Sequence, residues 1–148
     1  MALEAAEQAE LHAREAEKRE EMRDQRRIAS NMQAWWVKET KEDSARWGII
    51  LSNTGADTAV FYNVDIRLIS NSTPLRVNIA TLPPGQYFLE SCRTNSGSPT
   101  ISYPESIREL RGYQPLLKAK THAVQAMEFT DQVGQRWQWT WKTGLAAV

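Results

Sequence analysis

Residues 1–31 contain neither Gly nor Pro and are dominated by Ala, Glu and Arg, whereas all six tryptophans and every Gly and Pro come later. A long run of strong helix formers does not make a half-buried strand. Alternating apolar residues cut by Gly, Pro and Asn do not make one helix. The change of chemistry near Met32 therefore predicts a charged helical arm over residues 1–33, followed by a β domain over residues 34–148.

Favourable pairs recur along the arm: Glu10 with Arg14, Glu15 with Lys18 and Arg19, Glu20 with Arg23, and Asp24 with Arg27. Each is worth roughly 0.2–0.5 kcal/mol in an isolated helix. A coiled-coil seam through Ala2, Ala5, Ala9, His12 and Ala16 runs into Arg19, Arg23 and Arg26, short of the three or four apolar heptads such a seam needs. A solvated or partner-dependent helix, self-association through the alanine stripe and disorder all remain open. Ile28, Met32 and Trp35 or Trp36 share a helical spacing and are expected to fasten the end of the arm to the β domain. Just before them, Arg23, Arg26 and Arg27 form a basic cluster, read either as a solvated face or as a contact for phosphate or an acidic partner.

Alternation and punctuation predict seven strands: 33–39, 46–52, 59–69, 75–81, 86–92, 123–130 and 135–141. A polar connection, Thr40 to Ser44, separates the first two. In the third, Val60, Tyr62, Val64, Ile66 and Leu68 are expected on one face, opposite Phe61, Asn63, Asp65 and Arg67. Asn53-Thr54-Gly55, Asn71-Ser72-Thr73-Pro74, Leu82-Pro83-Pro84-Gly85 and Asp131-Gln132-Val133-Gly134 supply turns. Residues 93–121 are too long for an ordinary connection. A short helix is expected there, with Pro104 at its first position, Ile107 and Leu110 on one side and Gly112 closing it. That segment, with Tyr103 and Tyr113, would protect a sheet edge or recognise a partner.

The fold expected is a mainly β, seven-stranded, immunoglobulin-like antiparallel sandwich behind a long helix. The strings Ile50-Leu51-Ser52-Asn53-Thr54-Gly55, Leu82-Pro83-Pro84-Gly85 and Phe129-Thr130-Asp131 through Gly134 to Trp137 resemble those of small uncharacterised actinobacterial domains. In those, a helical segment, often behind a membrane anchor, precedes a sandwich. The resemblance covers about Trp35 to Leu145 and implies a fold and tethering, with no catalytic residue; the 93–121 insertion departs from its compact pattern.

Little else suggests chemistry. The lone Cys92 permits no internal disulfide, and His12 and His122 lack metal-ligand spacing, so neither a metal nor a cofactor is expected. Cys92 and His122 flank the insertion and could imitate a nucleophile–base pair, but an inert strand cysteine is the expectation. Asp43, Asp57, Asp65 and Asp131 are scattered, and no phosphate loop, dinucleotide fingerprint or nucleophile elbow occurs. Eighteen basic and 18 acidic residues cancel, so no global field draws nucleic acid. No signal peptide or membrane span is expected in the sequence as given, which is compatible with an anchor removed from its front; the expected location is the cytoplasm or, if tethered, the cytoplasmic side of a membrane.

Trp137, Trp139 and Trp141 alternate onto one side, where they pack the core or leave an outer binding strip. Adjacent Trp35 and Trp36 must face opposite ways in a strand. The function expected is a non-enzymatic structural or adaptor role, with the arm oligomerising or tethering and the sandwich binding a protein partner. A virion component, a host–virus factor and a membrane-complex adaptor all fit that description. Its expected contact residues are Trp35, Trp36, Arg23, Arg26, Arg27, Tyr103, Tyr113 and Trp139. The alternative is a carbohydrate-binding module using an exposed Trp strip that includes Trp139.

Overall fold

The computed structural model describes residues 2–41 and 45–148; Asp43 and the end of the expected polar connection lie outside them. The chain divides into two compact units, Met1–Ser30 and Asn31–Val148. In the first, α1 (Ala2–Ala29) is a single 28-residue helix. Glu4 in its first turn and Arg26 and Arg27 in its last match the sign of the helix dipole. Arg27 pairs with Asp24 one turn earlier, and the Ser30 hydroxyl donates to the Arg27 carbonyl at 2.6 Å as the helix ends. Leu3, Leu11 and Met22 are exposed along it.

The helix stops before Met32, so the helical spacing expected from Ile28 through Met32 to the tryptophans is not realised. Met32, Trp35 and Trp36 belong instead to a strand, where β-branched and aromatic neighbours favour extended chain.

The second unit contains eleven strands among the described residues: β1 (Met32–Glu39), β2 (Trp47–Asn53), β3 (Phe61–Ser70), β4 (Thr73–Leu82), β5 (Gly85–Arg93), β6 (Pro99–Ile101), β7 (Glu105–Ile107), β8 (Tyr113–Pro115), β9 (Ala123–Thr130), β10 (Arg136–Thr140) and β11 (Gly144–Ala147). They form two antiparallel sheets. One has the order β6-β5-β2-β1-β8, with β7 also on β5; the other runs β11-β10-β9-β3-β4.

Register fixes which side chains meet. Ile49 stands opposite Trp36 and Leu89, and these three point between the sheets. There the Trp36 indole donates to the Ala123 carbonyl at 3.0 Å, and the Ser70 and Ser91 hydroxyls meet at 3.3 Å. From the other sheet Phe61, Val64, Ile66, Leu68, Met127, Phe129 and Trp137 complete a fully buried core, with Phe61 edge-on to Phe129 at 5.0 Å.

The strand order differs from strict alternation at Asn63. Its φ of 51° and the register shift between Tyr62 and Asp65 mark a bulge against β9. The bulge changes the parity of β3, so Phe61 is buried and Tyr62 is 40% exposed, the reverse of their expected faces.

No helix occurs in residues 93–121. Glu105–Ile107 is extended beside Gln86–Phe88, and β6 lies beside the rest of β5, while β8 lies beside the end of β1. A helix of two turns would gain little alone, whereas these residues satisfy the backbone groups of two sheet edges. Gly112 does take a left-handed φ of 94°, but it closes a turn from Leu110 into β8.

The insertion also covers a second apolar layer, on the outer side of its sheet. Val37, Ile50 and Phe88 are fully buried there, packed with Trp35, Ile107 and Tyr113. Gly48 makes room for the Phe88 ring: a Cβ at this position would lie 2.2 Å from the Leu89 carbonyl oxygen and 2.8 Å from the ring.

Candidate functional site

The turn motifs prove to be architectural. The buried Asn53 amide donates to the Ala59 carbonyl at 2.6 Å and to the Leu82 carbonyl at 3.3 Å, and accepts from Gly55 N at 3.1 Å. Two motifs thereby meet at one side chain. The buried Asp131 carboxylate accepts from Val133 N, Gln135 N and the Trp137 indole at 2.9–3.0 Å. These contacts commit the side chains of Asn53 and Asp131 to holding the turns.

What remains open is an edge. Residues Asn71 and Ser72 have φ of 50° and 65°, the two-residue turn that closes on the hydrogen-bonded pair Ser70–Thr73. Alternation then makes Leu68–Leu75 and Ile66–Val77 the hydrogen-bonded pairs, so the backbone groups of Arg76 and Asn78 point away from β3. Among the described residues β4 pairs with β3 alone. Its free side borders a groove of about 700 Å³ whose opposite wall is Pro99–Pro104. Arg76 is committed to a two-point ion pair with Asp65, whose carboxyl it holds below the usual carboxylate range.

Arg46 organises the outer layer. It donates to Glu39 at 3.2 and 2.5 Å, lies 3.5 Å from Glu90 and 3.6 Å from Glu105, and sits 5.1 Å from the Phe88 ring centroid. Its hydrogen bond lowers the pKa of Glu39 against the opposing effect of burial. Burial, followed by the charges of Glu39 and Glu105, raises that of Tyr113.

At the end of the sandwich a second, more polar cleft of about 460 Å³ brings Cys92 and His122 to one rim. His122 Nδ1 pairs with the Thr121 hydroxyl at 3.0 Å. Its ring lies between Trp36 (4.9 Å) and Trp47 (5.0 Å), and burial depresses its pKa. Among the described residues no group of three or more His, Cys, Asp or Glu could hold a metal, and no helix is long and apolar enough to cross a membrane.

The expected contact residues are dispersed. Trp35 and Tyr113 share the outer apolar layer, whereas Trp36 points between the sheets. Tyr103 is 91% exposed and borders the edge groove. Arg23, Arg26 and Arg27 are exposed on α1, in the other compact unit. Trp139 is half-buried between Met127 and Leu145, next to fully buried Trp137, and only Trp141 is largely exposed. The three alternating indoles thus mainly pack rather than form a continuous exposed strip.

Sequence reasoning missed the β4 edge, the Arg46 hub and the Trp47–His122 wall. Pro74 at the start of β4 was the available signal for the edge, since proline is tolerated in sheets mainly at edges. No family model, curated protein or solved structure matches this chain.

Proposed function

We propose that the chain is a non-enzymatic interaction module. An immunoglobulin-like sandwich adds an extended segment of a partner protein to the free edge of β4, and the helical arm tethers or oligomerises it. The observation that carries this reading is the β4 edge itself: ten residues long, open on one side and bordered by a groove. Unpaired main-chain donors and acceptors give affinity for an added strand, and flanking pockets select its side chains.

The immunoglobulin-like assignment is supported by strand order. Without β6, β7, β8 and β11, the sheets reduce to β1-β2-β5 and β10-β9-β3-β4, joined by crossovers of the Greek-key kind. The turn chemistry at Asn53, Leu82 and Asp131 supports the resemblance to actinobacterial tethered domains. A cytoplasmic setting, or the cytoplasmic side of a membrane, fits a chain with one free thiol.

The test is a peptide-display selection against the full chain, repeated with Asn78→Pro. This substitution removes an outward N–H without touching the β3 ladder. Selected peptides are expected to lose binding at least tenfold, with the unfolding midpoint retained. Unchanged affinity in the substituted chain would contradict the proposal. Light scattering tests the oligomerising role of the arm: a multimer is expected to become monomeric when residues before Gln25 are deleted, and an unchanged oligomeric state would remove that role.

A further inference from the structure

The second cleft has features that an edge-binding role does not use. Trp47 shares a sheet face with Ile49 and Leu51, both fully buried, yet Trp47 is 37% exposed at the cleft rim. A tryptophan at a strand end normally turns its apolar surface inward. Here its ring is held in place by His122, tilted 47° against it at 5.0 Å, and His122 is itself backed edge-on by the anchored Trp36. The result is a flat, partly exposed indole backed by two further rings.

The same cleft is lined by polar groups suited to hydroxyls. The Ser70 and Ser91 side chains lie 3.3 Å apart, and each hydroxyl can donate and accept. Asn71 adds an amide to the lining. Charge decides the ligand class. The Arg46 guanidinium of this lining is committed to Glu39, Glu90 and Glu105, and Arg93 donates to the Gly97 carbonyl at 3.2 Å. An anion would have to compete with those carboxylates, whereas a neutral polyol would not. The cleft volume falls within the roughly 300–1,000 Å³ of small-ligand sites.

We propose that this cleft binds a neutral sugar, one pyranose face lying on the Trp47 indole and its hydroxyls bonded by Ser70, Ser91 and Asn71. The cleft shares Pro99 with the edge groove and takes Thr73 from the start of β4, but it uses none of residues 75–81 and none of the alternating tryptophans of β10. Either reading can fail without the other.

The test uses the full chain and a panel of methyl glycosides: glucose, mannose, galactose and N-acetylglucosamine. Binding is read from the ring signals of His122 and the indole signal of Trp47 by NMR. At least one glycoside is expected to shift both signals saturably at millimolar concentration. Trp47→Ala is expected to weaken binding at least tenfold, and Ser91→Ala severalfold, the latter serving if loss of the indole impairs folding. Three results would overturn the proposal: no glycoside shifting either signal at 100-fold excess over protein, unaltered affinity in Ser91→Ala and Trp47→Ala, or inorganic phosphate shifting these signals when the sugars do not.

Discussion

At the scale of single residues, a buried carboxylate and a buried amide hold the turns that punctuate this chain. Asp131 serves two main-chain amides and the Trp137 indole at once, so its loss leaves donors buried without acceptors. Each such group costs about 1–3 kcal/mol. Asp131→Ala is expected to lower stability by about 2–3 kcal/mol in urea unfolding, read from the intrinsic tryptophan fluorescence. Glu39 carries a pH dependence of definite sign. Arg46 depresses its folded pKa below the ordinary 4.5, so its contribution is full above that value and is lost as pH falls below it through the folded pKa. Glu39→Gln is expected to cost about 1.5–3 kcal/mol at pH 7, the range for a hydrogen bond to a charged group. The difference from the unsubstituted chain should shrink as unfolding is measured at progressively lower pH below 4.5. A difference that stays constant would remove the ion pair from the account.

At the scale of elements, periodicity was legible wherever one rule governed a segment. The seven expected strands overlap β1 to β5, β9 and β10 because their apolar residues alternate and Gly, Pro or Asn ends them. The face of Tyr62 was not legible, because one left-handed residue, Asn63, resets parity without any Gly to announce it. Nor were β6, β7 and β8. Three-residue strands carry too few side chains for a pattern, and their conformation is imposed by the edges of β5 and β1. The same reason hides the candidate sites. Arg46 meets acids from β1, β5 and β7, and Trp47 meets a histidine far along the chain, contacts that only the folded sheets create. Gly48 tests the outer layer that Arg46 organises. Gly48→Ala forces a methyl group onto the Leu89 carbonyl and the Phe88 ring, and is expected to cost about 1–3 kcal/mol or more by thermal unfolding, as overpacking does.

At the scale of the whole molecule, two units divide the tasks. One is an exposed, charged helix, and the other is a pair of sheets with an inner core and an insertion that builds a further layer over one outer face. The insertion satisfies the edges of β5 and β1 but leaves β4 open along its length among the described residues. Long open edges invite pairing and are usually blunted by charge, proline or a covering segment. Here Pro74 interrupts only the start, and the strand's own cation, Arg76, is tied to Asp65. An edge so little protected is consistent with one kept for a partner strand. Hydrogen–deuterium exchange of the full chain, with and without a display-selected peptide, tests this most directly. Slowed exchange is expected at residues 75–81 and 99–104, on both walls of the groove. Slowing confined to α1 or to the β10–β11 side, with β4 unchanged, would contradict the edge-binding account.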